Sequence, residues 1–327
     1  MRIFRNAGEI ARSLGPTVVS IGNFDGVHVG HQFILDKIRK SAAARSLRSV
    51  AVTFDPHPLR FLRPATCPKL ITPLETKLEL LGNTGIDAVL VLPFTTELSR
   101  MRAREFVAAI VHDALEAVEV HEGPNFRFGY RAEGGIAELN QLGGELGFEV
   151  VIHDACQVRG FTCSSSRIRE LLSRGEIRTA RALLGHGFFI DSTPAHGRGI
   201  GSTLTVPTIN LAPYGELLPP HGVYVTQLRV AGDWFDAVTN IGNRPTFGAD
   251  SFAVESHLLD FRPIPLGERT QLRLLFHHRL REERRWPSPE ALKEQIMRDV
   301  GQAKRYLRLM RVLGQRATSD RGSIGRS

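Results

Sequence analysis

Short apolar runs alternate with stretches of helical periodicity through the first half of the chain. Thr17–Ile21, Ser49–Phe54, Ala88–Pro93, Ala117–Glu122 and Phe148–Ile152 are rich in β-branched and small apolar residues, and they read as buried strands. Between them, apolar positions recur at helical spacing over Gly30–Ala44, Pro73–Leu81, Ala103–Ala114 and Gly135–Leu146. Strand–helix alternation predicts an α/β unit, a parallel sheet with helices on both faces. Ligands of such sheets gather beyond the carboxyl ends of the strands.

The pattern then changes. Ser164 to Arg169 opens a helix expected to run to about Ser173, and Gly175 to Gly185 reads as a short helix ended by glycine. Phe188–Ile190, Gly222–Val230, Trp234–Ile241, Phe252–Leu259 and Gln271–Leu280 follow as strands, with turn signals at Ala231–Asp233 and Gly248–Asp250. Strands at this spacing predict an antiparallel barrel or sandwich. Pro287-Ser-Pro289 introduces a helix expected to reach Leu313. The reading gives domains over 1–186 and 187–313, and a polar, glycine-bearing tail over 314–327 expected to be disordered.

Composition constrains this picture only lightly. With 327 residues, 42% hydrophobic and 23% charged, each half can bury its own core. Met1 to Arg12 carries Arg2, Arg5, Glu9 and Arg12 without an apolar core, so no secretory leader is expected there, and no run is long enough to span a membrane. Cys67, Cys156 and Cys163 lack zinc-ligand spacing and are expected to be reduced thiols of a cytoplasmic protein. The net charge of +8 lies mostly from Arg279 onward, where 13 Lys and Arg face 6 Asp and Glu. A basic terminal helix is a solvated surface more often than a nucleic-acid reader, so no nucleic-acid partner is expected.

Candidate chemistry begins after the first strand of the alternating half. Gly22-Asn23-Phe24-Asp25-Gly26-Val27-His28-Val29-Gly30-His31 sets two histidines behind a glycine-broken turn at a helix start. Free amides, a helix N-terminus and two imidazoles suit the phosphates of a nucleoside triphosphate. Three further segments are candidates for the same site: Asp55-Pro56-His57-Pro58, Gly123 to Gly129, and Ser164-Ser165-Ser166 with Arg169. Each alone also has a structural explanation, as a rigid turn, a hairpin or a helix cap.

Taken in order, these segments resemble the adenylyltransferase half of the prokaryotic bifunctional riboflavin kinase/FMN adenylyltransferases, the FAD synthetases. The matching motifs are Gly-Asn-Phe-Asp-Gly-Val-His-x-Gly-His, Phe-x-Pro-His-Pro, Gly-x-Asn-Phe-x-Phe-Gly and Ser-Ser-Ser-x-Ile-Arg. The second half continues the resemblance with Pro207-Thr-Ile-Asn210, Asn240 to Gly248 and Val254 to Phe261. It implies a Rossmann-like nucleotidyltransferase domain followed by an antiparallel β-barrel riboflavin kinase domain with a C-terminal helix. It also implies two reactions: ATP phosphorylates riboflavin to FMN, and a second ATP adenylylates FMN to FAD with release of pyrophosphate.

The resemblance assigns roles that chemistry makes sensible. FMN already carries an ionised phosphate, so adenylyl transfer needs alignment and charge stabilisation more than a base. His28 and His31 are then hydrogen-bond donors to phosphate. Gly22, Asn23, Phe24, Asp25, Gly26, Ser164, Ser165, Ser166 and Arg169 complete the ATP cradle, and Phe54, Pro56, His57, Pro58 and Asn125 lie near the flavin. The kinase step starts from a neutral alcohol and needs a proton acceptor, a role that falls to Glu255. Thr208 and Asn210 offer neutral oxygens on one face of an extended segment, suited to Mg2+ beside phosphates.

The match departs at Gly201-Ser-Thr-Leu-Thr-Val-Pro-Thr-Ile-Asn210, where the family reads Gly-Arg-x-Leu-Gly-Phe-Pro-Thr-Ala-Asn. Ser202, Thr205 and Val206 replace an arginine, a glycine and an aromatic residue. Gly197, Arg198, Gly199 and Gly201 are expected to restore flexibility and charge in an active but atypical ATP loop. Ser166 stands where threonine is usual, with little consequence expected. The competing readings are an adenylyltransferase with an inactive flavin-binding kinase domain, a non-catalytic flavin sensor, and a His-x-Gly-His enzyme with another acceptor.

Overall fold

β-branched runs in the first half and period-2 strands in the second build two different sheets. The computed structural model of the protein describes residues 1–11, 13–195, 208–243, 252–260, 264, 266–284 and 286–323. The chain divides into Met1–Ile168 with Leu183–Gly185, and Arg169–Ala182 with His186–Ser327.

The first unit contains β1 (Arg2–Phe4), α1 (Ala7–Ile10), β2 (Thr17–Ile21), α2 (Val29–Ala44), β3 (Arg48–Asp55), α3 (Pro58–Leu62), α4 (Leu74–Gly82), β4 (Ala88–Pro93), α5 (Thr96–Arg100) and α6 (Ala103–Phe106). α6 widens into π-helical turns over Val107–Ala114, followed by β5 (Ala117–Glu122), α7 (Ile136–Leu146) and β6 (Glu149–Ile152). A short hairpin, β7 (Gln157–Val158) and β8 (Phe161–Thr162), leads into α8 (Ser165–Ser173) and α9 (Ile177–Leu184). The six-stranded sheet has the order β1-β4-β3-β2-β5-β6, with every pairing parallel. All five residues of β2 are buried, as a strand covered on both faces requires.

The second unit contains β9 (Phe188–Ser192), β10 (Thr208–Leu211), β11 (Gly222–Val230), β12 (Asp233–Asn243), β13 (Phe252–Leu258), β14 (Leu272–Arg281) and α10 (Pro289–Ser323). Its antiparallel sheet runs β10-β13-β12-β11-β14-β9. The two edges then meet. The Ala195 amide donates to Asn210 O and the Ala212 amide to Thr193 O, both at 2.8 Å, while Pro194 bridges Leu211. Closure into a barrel removes the exposed edges. On one face of the sheet, the buried hydroxyls of Thr226, Thr239 and Ser256 satisfy one another at 2.7 Å across β11, β12 and β13. The opposite face of these strands carries Asn240, Glu255 and Val238, and Val223, Val225 and Val238 pack with Ala303 and Leu307 of α10.

The contact division differs from a boundary at 187, because Arg169–Ala182 groups with the barrel unit. There Gly175 takes a positive φ of 74°, and a Cβ on it would lie 2.6 Å from Arg279 Cδ. One expectation changes, at the last helix: it does not stop at Leu313 but continues to Ser323, and only 324–327 of the expected tail lie outside the described residues. Leu309, Val312 and Leu313 carry helical apolar spacing to its exposed distal end.

Candidate functional site

In the first unit, strand order reverses at β2. Successive crossovers from β2 build toward β3 and β4 on one side, and β5 and β6 lie on the other. A crevice therefore opens between the carboxyl ends of β2 and β5, where α/β sheets hold ligands. The β2–β5 register ends at Val19 opposite Val120, and the Ile21 amide donates instead to Glu122 Oε1 at 2.6 Å. Burial pushes the Glu122 carboxyl well above the usual range, and the Ile21 hydrogen bond only opposes this. β5 thus ends on a buried carboxyl whose charged form is disfavoured.

His28 is the N-cap of α2, its Nδ1 accepting from the His31 amide at 3.3 Å. In the neutral ring this places the proton on Nε2, leaving an N–H donor. The His28 and His31 rings stack with centroids 3.6 Å apart, and Phe24 meets His31 edge-on at 5.2 Å. His31 Nδ1 is buried without a hydrogen-bond partner. Desolvation first, then the charges of His28 and Lys77, push His31 well below its ordinary pKa. Burial and the neighbouring positive charge thus disfavour the charged form of His31. A polyanion bound there would offset these effects and favour the proton.

The loop is held by its own residues. The Asp25 carboxylate accepts from the Ile71 and Thr72 amides at 3.1 and 3.0 Å and from Thr72 Oγ1 at 3.2 Å. The Gly26 amide donates to Thr72 Oγ1 at 2.9 Å, and Gly26 takes a φ of +82° where a Cβ would press on Ile71 and Leu184. Asp25, expected at the phosphates, also fastens the loop. The Gly22 amide bonds to Val52 O. Asn23 is exposed, and its carbonyl accepts from Lys77 Nζ at 3.2 Å.

The serines divide similarly. Ser164 Oγ accepts from the Arg167 amide, and Ser165 Oγ donates to Asp25 O at 2.9 Å, tying the start of α8 to the histidine loop. Ser166 is exposed. Arg169 lies in the part of α8 that groups with the barrel unit. Around Asp55–Pro58, His57 is buried and its Nδ1 caps α3 by accepting from the Leu59 amide, with Pro58 in the first turn. Pro56 is exposed and follows a cis peptide. Phe54 and Phe61 both meet Phe94 edge-on, at 5.9 and 5.7 Å, beside exposed Leu59 and Leu62. Asn125 is exposed in the loop after β5.

Two residues of this site escape the sequence reading. Lys77 Nζ reaches Asn23 O, Thr53 Oγ1 and Phe54 O, joining the loops after β2 and β3. Burial lowers its pKa to about 8, against the pull of Asp25 and Asp55. Its signal is position: Lys77 sits within the stripe Leu74, Leu78, Leu81, where a helix normally buries apolar side chains. Glu122, the other, terminates an apolar strand and carries no comparable cue.

In the second unit, β10 alternates half-buried Thr208 and Asn210 with buried Ile209 and Leu211. Asn210 pairs with Glu255 and Thr208 with His257 on β13, while Asn240 of β12 faces Glu255 from the other side. Thr208 Oγ1 lies 3.3 Å from His257 Nδ1, and burial lowers the His257 pKa. Thr208, Asn240, Glu255 and His257 line one cavity of about 800 Å³ with Trp286, Leu292 and Ile296. Its far wall is pinned by Arg281, which donates to Asp299 Oδ2 of α10 at 3.0 Å and stands 5.5 Å from the Trp286 ring. Gly197, Arg198, Gly199 and Gly201, together with Ser202, Thr205 and Val206, lie outside the described residues. The oxygen set of Thr208, Asn210 and Glu255 suits a hard divalent cation.

Comparison with known proteins identifies what such a pair of sites belongs to. A family model for FAD synthetase matches residues 10–167 and one for riboflavin kinase matches residues 184–307. The bifunctional riboflavin kinase/FMN adenylyltransferase of Pseudomonas fluorescens is 37% identical over 93% of this chain and 97% of its own. The Escherichia coli K12 protein of the same name is 32% identical over 89% and 93%. A crystal structure titled as a macrolide-efflux protein from Streptococcus pneumoniae superposes with a TM-score of 0.79 at 25% identity, covering 93% of this chain and 98% of that one. Among the described residues no helix is long and apolar enough to cross a membrane.

Proposed function

Because the chain belongs to the bifunctional riboflavin kinase/FMN adenylyltransferase family, we propose that its barrel unit phosphorylates riboflavin with ATP and its parallel-sheet unit adenylylates the resulting FMN. The observation that carries this assignment is the convergence of Thr208 and Glu255, 47 positions apart in sequence, on one cavity.

In the barrel unit, Glu255 accepts the proton of the ribityl 5′-hydroxyl as its oxygen attacks the γ-phosphorus of ATP. Thr208 and Asn210 would hold Mg2+, which neutralises phosphate charge when bound. Their side-by-side register with Glu255 and His257 supports that role. Trp286 and the apolar side of α10 offer a surface for a flat ring.

In the parallel-sheet unit, the FMN phosphate attacks the α-phosphorus of ATP and pyrophosphate leaves. His28 and His31 stabilise the charge that grows on the departing oxygens. Lys77 keeps the two loops in register, and the Phe54, Phe61, Phe94 cluster supports binding of the flavin ring near Pro56.

The test supplies purified protein with riboflavin, ATP and magnesium and resolves the flavins by chromatography. FMN followed by FAD is expected. FAD only when FMN is supplied points to the inactive-kinase reading, and conversion of neither flavin rejects the proposal.

A further inference from the structure

Cys156 and Cys163 end the two arms of the β7–β8 hairpin. Its two-residue turn, Arg159–Gly160, has positive φ at both positions, as the tight turn of a right-twisted hairpin requires. Val158 pairs with Phe161 and Gln157 with Thr162, so the next cross-strand pair is Cys156 with Cys163. The Cys163 amide donates to Cys156 O at 2.9 Å, and the two thiols are within side-chain hydrogen-bond reach. Opposed residues of such a pair have Cα atoms about 5.5 Å apart, within the roughly 4.4–6.8 Å a disulfide spans. Both residues are partly exposed.

Cys163 also touches the adenylyl site. Its thiol lies 3.7 Å from Leu183 O and accepts from the Gly30 amide, and its Cβ lies 3.6 Å from where a Gly30 Cβ would project. Gly30 stands between His28 and His31, and Ser164, the next residue after Cys163, caps α8. We propose that Cys156 and Cys163 form a reversible disulfide that switches off adenylyl transfer, an inference that rests on the function assigned above to the parallel-sheet unit.

The oxidant is a hydroperoxide. The Cys156 thiolate attacks the terminal peroxide oxygen: an S–O bond forms, the O–O bond breaks, and the leaving oxygen takes a proton to become water or an alcohol. Cys163 sulfur then attacks Cys156 sulfur: the S–S bond forms, the S–O bond breaks, and the departing hydroxide takes the Cys163 proton as water. Two thiols lose two electrons and the peroxide gains them; a dithiol reductant reverses the change. Burial pushes the Cys163 thiol up to about 11, which leaves Cys156 as the first to react. Drawing Cys163 sulfur toward Cys156 takes it from the Gly30 amide and Leu183 carbonyl, and so disturbs the starts of α2 and α8 together.

The test uses the full chain treated with hydrogen peroxide, then assayed for both reactions before and after dithiothreitol. Trypsin cuts after Arg159, so the bond is read by mass spectrometry as two peptides joined. The linked peptide is expected, with FMN-to-FAD conversion lowered at least tenfold, riboflavin phosphorylation unchanged, and recovery on reduction. Cys156→Ser is expected to keep FAD formation and lose the sensitivity, while Cys67→Ser keeps both. Absence of the linked peptide after Cys67 has oxidised overturns the proposal, as does a linked protein that makes FAD at the reduced rate, or equal peroxide inactivation of Cys156→Ser. If reduced protein forms no FAD, it is the assigned function that fails, and the linked peptide alone then decides whether the disulfide exists.

Discussion

The two units handle phosphate with different materials. The parallel-sheet unit builds its site from loops at strand ends, where a carboxylate, a hydroxyl and an imidazole hold backbone: Asp25 on the 71–72 amides, Ser165 on Asp25 O, His57 on α3. The barrel unit places Thr208, Asn210 and Glu255 directly on neighbouring strands, held by ladder hydrogen bonds that use no side chain. A site made of loops needs an internal scaffold of buried polar groups, whereas a site on strand faces inherits its geometry from the sheet. The first should be sensitive to substitutions away from the chemistry, the second mainly to its reacting groups.

The largest expected effect tests the strand-face site. Glu255→Gln should lower FMN formation by about two to four orders of magnitude, the usual worth of a positioned base, and leave FMN-to-FAD conversion intact. Parallel kinase and adenylyltransferase assays decide it, and equal loss in both breaks the division of labour. Next, His31→Ala should slow FAD formation by about two orders of magnitude with riboflavin phosphorylation untouched, since one donor to a developing anion is removed. An unchanged rate removes His31 from the site.

Smaller effects probe the scaffolds. Asp299→Asn leaves Arg281 facing a neutral amide, and should cost about 2 kcal/mol in urea unfolding of the barrel unit, in line with a charged hydrogen bond. It should raise the KM for riboflavin more than it lowers kcat. The smallest effect is a pH dependence. Glu122 has a folded pKa raised above its unfolded value, so the native state holds the extra proton and stability falls as pH rises above about 4.5. Glu122→Gln keeps an acceptor for the Ile21 amide and carries no such proton. Its thermal midpoint relative to wild type should therefore improve from pH 5 to pH 8; a constant difference contradicts the buried acid.

The sequence is most legible where one tendency dominates. Thr17–Ile21, Ala88–Pro93 and Gly222–Val230 coincide with their strands because β-branched runs bounded by turn residues admit few alternatives. The sequence marks Thr208–Asn210 only as an extended segment, because four residues alternating polar and apolar gain their strand identity from β13 and from the 193–195 bridge, not from propensity. The start of α3 is hidden in Asp55-Pro-His-Pro58, which suits a rigid turn as well as a histidine cap followed by an N-terminal proline. The β7–β8 hairpin turns on Arg159 at positive φ, which its residue type does not advertise. In the site, motif order picks out the histidine loop, the serines and Glu255 as candidates, but not which of them also serve the scaffold. That depends on contacts such as Asp25 with Thr72, 47 residues away.

The bridge from Ala195 to Asn210 gives residues 196–207 ends that are stitched side by side. A stretch begun and finished at one seam can be exchanged like the handle of a cup, without re-forming the vessel. Thr208, just past that seam, thus owes its place opposite His257 to the barrel's own ladder.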